Sequence, residues 1–483
     1  MASMSLLSAI MQHGERVGLS HYRVDNQIWQ GVLQHADKTV SLIASWADED
    51  YATMLLLEDE LPFLLSVPVE KRRYYAPSMR FLAAQWGERM ARDLWGVEPL
   101  FALDDRSALD NGSWTLTWPM AREPIPVQGK VHDEREEGYE LKAACLAVPG
   151  LLDLTYNVSK GLITKLDVHI ASGHRGILSQ VKGLSPQEAL PLISRVSAGG
   201  FVAHPLAFVR AVEQAQAKVP LPQERDIRFI LLEVERISLH LFDIGLVARC
   251  VKADLLATHC DHAREVLAQL CSQYGVSRRL TDTVRFWDEG SKVSEIVPFA
   301  QAVTETMQPL LPRLTGLNRL FSSRMEGIAI LSPEHVWGYA IGGVTGRASG
   351  RYIDMRSMDV GMRLDALRAS GRHEGCALAR NGQRLLEIRD SLYLIQRIIA
   401  SLGIEDEAQT IPMTGEGLGV AEGARGDIWY WVKLLHGKIE NLQVRDPTQP
   451  VLCVLEGIMR GHQPDDIPLA LASLGISPAG VVL

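Results

Sequence analysis

Leu190 to Arg249 reads LPLISRVSAGGFVAHPLAFVRAVEQAQAKVPLPQERDIRFILLEVERISLHLFDIGLVAR. Apolar residues at Val202, Leu206, Val209 and Val212 recur at helical spacing. After a break, Ile227, Ile230, Leu231, Val234, Ile237, Leu241 and Ile244 do the same. Pro220 and Pro222 make the break, and Gln223 to Arg225 stand where a second helix would open. The pattern predicts a helical hairpin at the centre of a large core. On its second arm Glu233, Arg236 and His240 lie three and four apart, on one side of the helix. Charged groups among so many apolar neighbours need partners if they are buried. Such a stripe can brace helix packing or carry protons.

A chain of 483 residues is too long for one small core and calls for two or three domains. Hydrophobic residues make up 47% and charged residues 22%, the balance of a folded chain with a generous interior. The net charge of -9 gives no basic footprint for nucleic acid. Cys145, Cys250, Cys260, Cys271, Cys376 and Cys453 form no Cys-x-x-Cys pair and read as small buried residues in a reducing compartment. The N-terminus has no basic segment leading into an apolar run. No uninterrupted apolar stretch reaches about eighteen residues. The expectation is neither secretion nor a membrane span, so membrane attachment would come through partner subunits.

In chain order, residues 1–115 read as an α/β unit. Thr39 to Ile43, Thr53 to Leu57 and Phe63 to Val67 are strand candidates, and Pro77 to Leu94 turns helical with Phe81, Trp86, Met90 and Leu94 on one face. Gly96 can end that helix with a left-handed residue. Residues 116–150 are a linker and entry segment. Leu103 to Pro126, with Trp114 and Trp118, predicts a stretch that packs against something, a neighbouring subunit included, and Asp133 to Glu137 a solvated face. Residues 151–483 form the larger unit. It opens with strands at Leu151 to Val158 and Ile163 to His169 and continues through the central hairpin. Further helices are expected at Leu255 to Tyr274, over Ser291 to Leu320 and up to Leu402, with a strand at Trp429 to Leu434. The fold class is α+β, an α/β unit followed by a mainly helical one with a small β-sheet.

Short elements punctuate this order. They are Ala84 to Val97, Gly129 to His132, His174-Arg175-Gly176, and Arg195 to Gly200 followed by Ala203, His204, Ala211 and Glu213. Glu233, Glu235, Arg236 and His240 come next, then the Gly-rich run from Gly338 to Arg356, which lacks the Gly-Lys-Ser/Thr ending of a phosphate loop. Ala379, Arg380, Glu387, Arg389, Asp390 and Ser391 precede Glu422 to Asp427, Leu442 to Pro447 and Asp465-Asp466. In this order they resemble the large subunit of membrane-bound, energy-converting group 4 nickel-iron hydrogenases of the formate hydrogenlyase type. They resemble equally its relative, the 49 kDa subunit of complex I. Residues 1–115 resemble the complex I 30 kDa subunit fused ahead of it, which in the family docks subunits and carries no cofactor.

The resemblance implies a metal site that this chain does not furnish. Ser197 and Gly200 occupy the positions of two family cysteines, and after Leu474 the expected second Cys-x-x-Cys is missing, with Gly475, Ile476, Ser477, Pro478, Ala479 and Gly480 there instead. A nickel-iron centre needs soft thiolate ligands. The expected state is metal-free, with no cofactor in this chain or a quinone in the vacated cavity. The site residues implied are Arg195, His204, Glu233, Arg236, His240, Arg425 and Asp427, with Arg425 matching the arginine that lies over the iron's diatomic ligands in the hydrogenases. His169, His174 and Arg175 are implied to face the quinone cavity or an iron-sulphur cluster in a partner. No Tyr lies near Pro186, where complex I has its quinone-binding tyrosine.

The partners implied are a small iron-sulphur subunit like the complex I 20 kDa subunit, a ferredoxin-like iron-sulphur subunit, and antiporter-like and quinone-channel-like membrane subunits, at the cytoplasmic face of the inner membrane. NAD and quinone binding, electron transport and ion translocation are properties of such assemblies. Three roles follow for this chain: a metal-free subunit that couples redox or conformational events to ion movement, a quinone-reducing subunit, or a structural bridge.

Overall fold

The computed structural model describes the chain except residues 1–4, 38, 111, 113, 127–138, 143–151, 171–173, 288–294, 359–373 and 403–412. Gly129 to His132, Asp133 to Glu137 and Cys145 therefore lie outside the described residues.

Helices Leu6–His13 (α1) and Asn26–His35 (α2) accompany a five-stranded sheet of Glu15–Arg16 (β1), His21–Arg23 (β2), Val40–Ala47 (β3), Tyr51–Glu58 (β4) and Leu61–Pro68 (β5). Its order is β1-β2-β5-β4-β3, with β2 and β5 parallel and the other pairs antiparallel. The strands β3, β4 and β5 run eight residues each, longer than their apolar centres announce. They are apolar almost throughout because both faces are covered. One face packs on Trp29, Val32 and Leu33 of α2, the other on Trp429 and Trp431 from the far end of the chain.

Arg73–Tyr75 (β6) and Glu98–Leu100 (β7) form a parallel pair flanking Gln85–Trp95 (α3). The helix expected from Pro77 starts only at Gln85. Phe81 takes an extended backbone that sends its ring into the N-terminal core and splits the run into two short 3₁₀ turns before α3. Gly96 closes α3 in the left-handed region, φ 67°. Leu116–Thr117 (β8) pairs with Ile125–Pro126 (β9). The segment after β7 folds back on its own chain: Asp93 accepts from the backbone N–H groups of Ala108 and Leu109, both at 2.8 Å.

Tyr139–Lys142 (β10), Asp153–Ser159 (β11) and Leu162–His169 (β12) make an antiparallel meander. Ile177–Val181 (α4) and Pro186–Ile193 (α5) lead to the central hairpin, Ala203–Ala215 (α6) and Pro222–Cys250 (α7). Every apolar residue that defined its two periodic runs is buried in one large cluster. Asp254–Gln273 (α8), Ile296–Met307 (α9), Leu311–Leu320 (α10), Pro333–Gly338 (α11), Gly343–Arg347 (α12) and Ala377–Ala400 (α13) complete the helical body. No helix among the described residues is long and apolar enough to cross a membrane.

Glu416–Gly423 (β13), Gly426–Leu435 (β14) and Lys438–Arg445 (β15) form a third antiparallel sheet. The expected strand at Trp429 is the middle of β14, and the Glu422 to Asp427 loop is its hairpin turn. Helix α6 lies along the edge strand β13 at backbone distance, as side chains at Gly417 and Gly419 would overlap the backbone of Ala207 and Ala211. Thr448–Met459 (α14) and Ile467–Leu474 (α15) precede a C-terminal segment buried through Leu483.

Candidate functional site

The Glu233 stripe of α7 faces inward, and Glu233, Arg236 and His240 are completely buried. Glu233 accepts from Arg236 at 3.2 Å, Arg356 at 3.1 Å and the Ser391 hydroxyl at 2.6 Å. Glu387 of α13 pairs with His240 Nε2 at 3.0 Å and Arg347 Nε at 2.8 Å. Arg347 also reaches Glu422 at 2.8 Å and Asp354 at 3.3 Å. Four separate sequence elements thus converge on one buried arginine-carboxylate network. Burial pushes the Glu387 carboxyl up, but Arg347 and His240 outweigh it and hold it well below its ordinary range. At Glu422 burial wins, and the carboxyl rises to about 7.

Next to this network lies the place where the resemblance put a metal. Arg425, at the β13–β14 turn, bonds Asp243 of α7 through two nitrogens, at 2.6 and 3.1 Å. Its guanidinium fills the gap between two loops. A side chain at Gly199 would meet Arg425 Nη1 at 2.9 Å, and one at Gly475 would meet its Cδ at 3.2 Å. Burial raises the Asp243 carboxyl, and Arg425 with Arg384 more than reverses this, so Asp243 titrates low.

The loops themselves meet through the Ser197 and Ser477 hydroxyls, 3.1 Å apart. The space left between Ser197, Ser477, Thr448, Asp446 and Arg425 is about 10 Å³, room for about one water. His204 sits beside it, with Nδ1 3.0 Å from the Tyr430 hydroxyl and Nε2 3.3 Å from Asp446. Asp427 turns to the other side of the hairpin, where it accepts from Arg445 at 2.8 Å and Trp429 Nε1 at 2.6 Å.

A nickel-iron group does not fit these residues. The two Ser-x-x-Gly stretches, Ser197–Gly200 and Ser477–Gly480, offer two hydroxyls and no thiolate. Among the described residues no cluster of His, Cys, Asp or Glu has a metal-holding arrangement. In the sequence the second cysteine element looks simply missing. The Ser197–Ser477 contact instead identifies Ser477–Gly480 as its counterpart in space. The repeated Ser-x-x-Gly spacing was the signal that could have found it.

Other expected site residues fall elsewhere. Arg195 is half exposed and forms a bidentate pair with Asp282 at 2.8 and 2.7 Å. It is turned away from the Arg425 site because the α5 C-terminus, through the Pro191 carbonyl, holds it at the surface. Arg175 is spent on backbone: it donates to the carbonyls of Val196, at 2.7 Å, Ala479 and Val482. His174 packs its ring against Trp114, 6.4 Å between centroids, and neither ring nitrogen has a hydrogen-bond partner among the described residues. Burial, then the neighbouring Arg175, lowers its pKa to about 4. His169 ends β12, opposite Asp153 in the meander.

Sequence reasoning missed a second place. A cleft of about 660 Å³ opens between the N-terminal sheet, α3 and the β13–β15 sheet. On its floor His21 joins Ser66 at 2.7 Å and Glu416 at 3.0 Å, while Trp431 Nε1 donates to the same Glu416 oxygen at 3.1 Å. His21 and Glu416 are 395 positions apart in the chain, and no local motif marks either.

Comparison with known proteins bears on the whole arrangement. Residues 275–412 match the model of the respiratory-chain NADH dehydrogenase 49 Kd subunit. An NADH-quinone oxidoreductase protein of Phocaeicola vulgatus, of the double C/D type, is 24% identical over 485 residues, covering 90% of this chain and 93% of the relative. Formate hydrogenlyase subunit 5 of Escherichia coli is 26% identical over 443 residues, 85% of this chain and 77% of its own length. Among solved structures, a chain of the membrane-bound sulfane sulfur reductase, an archaeal respiratory membrane complex, is covered completely. It spans 73% of this chain with a TM-score of 0.62 at 19% identity, a likeness of fold. The Glu-Arg-His helix, the Arg425 turn and the N-terminal sheet ahead of them all fall on one chain that aligns with the Phocaeicola protein over nearly its whole length, and this chain is similar to the complex I 49 kDa and group 4 hydrogenase-like large subunits.

Proposed function

We propose that this chain is a metal-free large subunit of a membrane-bound, complex-I-related respiratory assembly. In it the chain links an iron-sulphur partner to a membrane arm and takes part in redox or conformational coupling to ion movement. The relatives named above are subunits of NADH-quinone oxidoreductase and formate hydrogenlyase, and the similar solved structure is of a respiratory membrane complex. The partners expected here are a small iron-sulphur subunit, a ferredoxin-like subunit and antiporter-like and channel-like membrane subunits. The observation that carries the proposal is the Arg425–Asp243 pair lying where a metal would lie, between loops whose donors are serine hydroxyls. Among the described residues, nothing in that pocket has the soft donors that a nickel-iron centre requires.

A quinone in the vacated pocket is a poorer reading, since about 10 Å³ admits no ring. A quinone-reducing role would need a different opening into the chain. The buried Glu233–Arg236–Glu387–Arg347 network has the rigidity that a coupling element needs, with hydrogen-bonded charge pairs that strengthen one another in the low-dielectric interior.

The test is purification of the intact complex from its native membrane, with elemental analysis and spectra of its chromophores. The expected result is iron accounted for by the partner subunits and no nickel. Stoichiometric nickel in this chain overturns the proposal. Stoichiometric quinone released from this chain would replace it with the quinone-reducing reading.

A further inference from the structure

The two Ser-x-x-Gly stretches are alike in more than sequence. At each, the serine meets its counterpart, Ser197 to Ser477 at 3.1 Å. At each, the glycine leaves room that another side chain takes. A Cβ at Gly200 would stand 2.7 Å from His204 Cδ2, and a Cβ at Gly480 would overlap the carboxylate of Asp446. The side chains admitted by the two glycines are themselves partners, His204 Nε2 to Asp446 Oδ2 at 3.3 Å, both almost fully buried.

Each is held from behind. His204 Nδ1 meets the Tyr430 hydroxyl at 3.0 Å, and Asp446 accepts from the Thr448 N–H at 2.7 Å. Thr448 in turn bonds the backbone of Ser477 in both directions, 3.2 and 3.3 Å.

We propose that this group is a clasp, a polar cross-link that ties the C-terminal segment Ser477–Leu483 to the loop ahead of α6 in the way a shared metal would, and that Gly200 and Gly480 are the residues that make room for it. The inference rests on the metal-free reading above. Its consequence is that the C-terminal segment is held by hydrogen bonds and the His204–Asp446 contact, all of them reversible without a cofactor. The His204 imidazole faces Tyr430 from β14 and Asp446 from the loop after β15, and Arg425 and Arg175 are the charged groups nearest the segment. Two glycines spaced alike, each opening onto one member of the same buried pair, are hard to explain by packing alone. A small apolar residue would fill either site if the pair were not there.

The test is a double-mutant cycle on the full chain in its complex, read by thermal melting and by hydrogen exchange of Ser477–Leu483. Gly480→Ala is expected to lower the melting temperature by several degrees and to cut protection of that segment at least tenfold. Asp446→Ala alone should do the same, since it removes the carboxylate that meets His204 and accepts from the Thr448 N–H. The double variant should be no worse than Asp446→Ala, because the alanine methyl then enters space the carboxylate has left. Additive losses in the double variant, or a Gly480→Ala variant that melts and exchanges like the parent, would overturn the clasp. If Gly480→Ala prevents folding, Thr448→Val keeps the shape and removes the hydroxyl that bonds the Ser477 backbone in both directions, and unchanged protection of the segment in that variant has the same force. Nickel found in the parent complex refutes the metal-free reading, while a failed cycle in a nickel-free complex refutes the clasp alone.

Discussion

At the scale of single residues, the decisive feature is how many ionisable groups the interior holds and how each is satisfied. Glu88 of α3 shows the cost most clearly. It is fully buried, one carboxylate oxygen accepts from the Ser78 N–H at 2.6 Å, and the other has no hydrogen-bond partner among the described residues. Burial, only partly offset by Ser78, pushes its pKa up to about 7. A carboxyl raised in the folded state stabilises the fold below its unfolded pKa and loses that contribution as pH rises through the folded value. Replacing Glu88 by Gln keeps the acceptor and removes the proton. Parent and Glu88→Gln should have matching urea midpoints near about pH 5, and the variant should become the more stable by up to about 3 kcal/mol near about pH 8. Parallel pH profiles would mean Glu88 is solvated in the native state. Sequence pattern named Glu233, Arg236, His240 and Arg425, because family motifs and helical spacing mark them. It did not name Asp243, the partner of Arg425, and it named Ser477 only as standing where a cysteine pair is missing, because a carboxylate one turn further along an apolar helix and a Ser-Pro-Ala-Gly stretch show no partner until the chain folds.

At the scale of elements, the fold was legible wherever a period was long enough to count. The α6–α7 hairpin, α8, α13 and the strands β3 to β5 appear where the apolar pattern put them, and what was lost were boundaries and short pieces. The Pro77 run failed because Phe81 answers to the tertiary core rather than to helix propensity. The three-stranded sheet β13–β15 was only partly visible, since β13 reads EGLGVAEG, a strand that weak propensity would leave as loop. Its glycines have a packing reason. Strand β13 is an edge, and α6 covers it so closely that Gln214 accepts from the Leu418 N–H at 2.6 Å and Arg210 donates to the Val420 carbonyl at 2.7 Å. A methyl group at Gly419 would overlap the Ala207 carbonyl and the Ala211 backbone, neither of which can rotate away. Gly419→Ala should therefore cost about 1–3 kcal/mol, the range for overpacking. Thermal melting checks this, with Gly457→Ala as the control, where a Cβ meets nothing within 4 Å. Equal melting temperatures for both variants would show that α6 stands further from the sheet than its backbone contacts indicate.

At the scale of the whole molecule, the N-terminal sheet and the rest of the chain are joined by a seam that is apolar at its centre and polar at its edge. Ile43, Trp46, Leu55 and Leu57 pack against Trp429 and Trp431, while Trp46 Nε1 donates to the Val444 carbonyl at 3.1 Å and Asn441 to Asp48 at 3.0 Å. Glu416 is the polar keystone of this edge. One of its oxygens serves both His21 and Trp431, at 3.0 and 3.1 Å, and the carboxylate lies against Gly18, where a Cβ would come within 2.5 Å of its Oε1. Removing it by Glu416→Ala leaves two buried donors without an acceptor, a loss of about 1–3 kcal/mol for each group so stranded. Water entering from the adjoining cleft would lower that figure. The loss should be confined to the seam: hydrogen exchange is expected to speed up in β2, β13 and the middle of β14, and to stay at the parent rate in α7 and α13, whose apolar side chains belong to the large central cluster and not to the seam. Glu416→Gln retains an acceptor and should recover most of the protection. If exchange rises equally in α7, the two halves unfold as one cooperative unit and the seam is no weaker than the core. If it rises nowhere, the tryptophans alone hold the halves together and the His21–Glu416 contact adds nothing to their union.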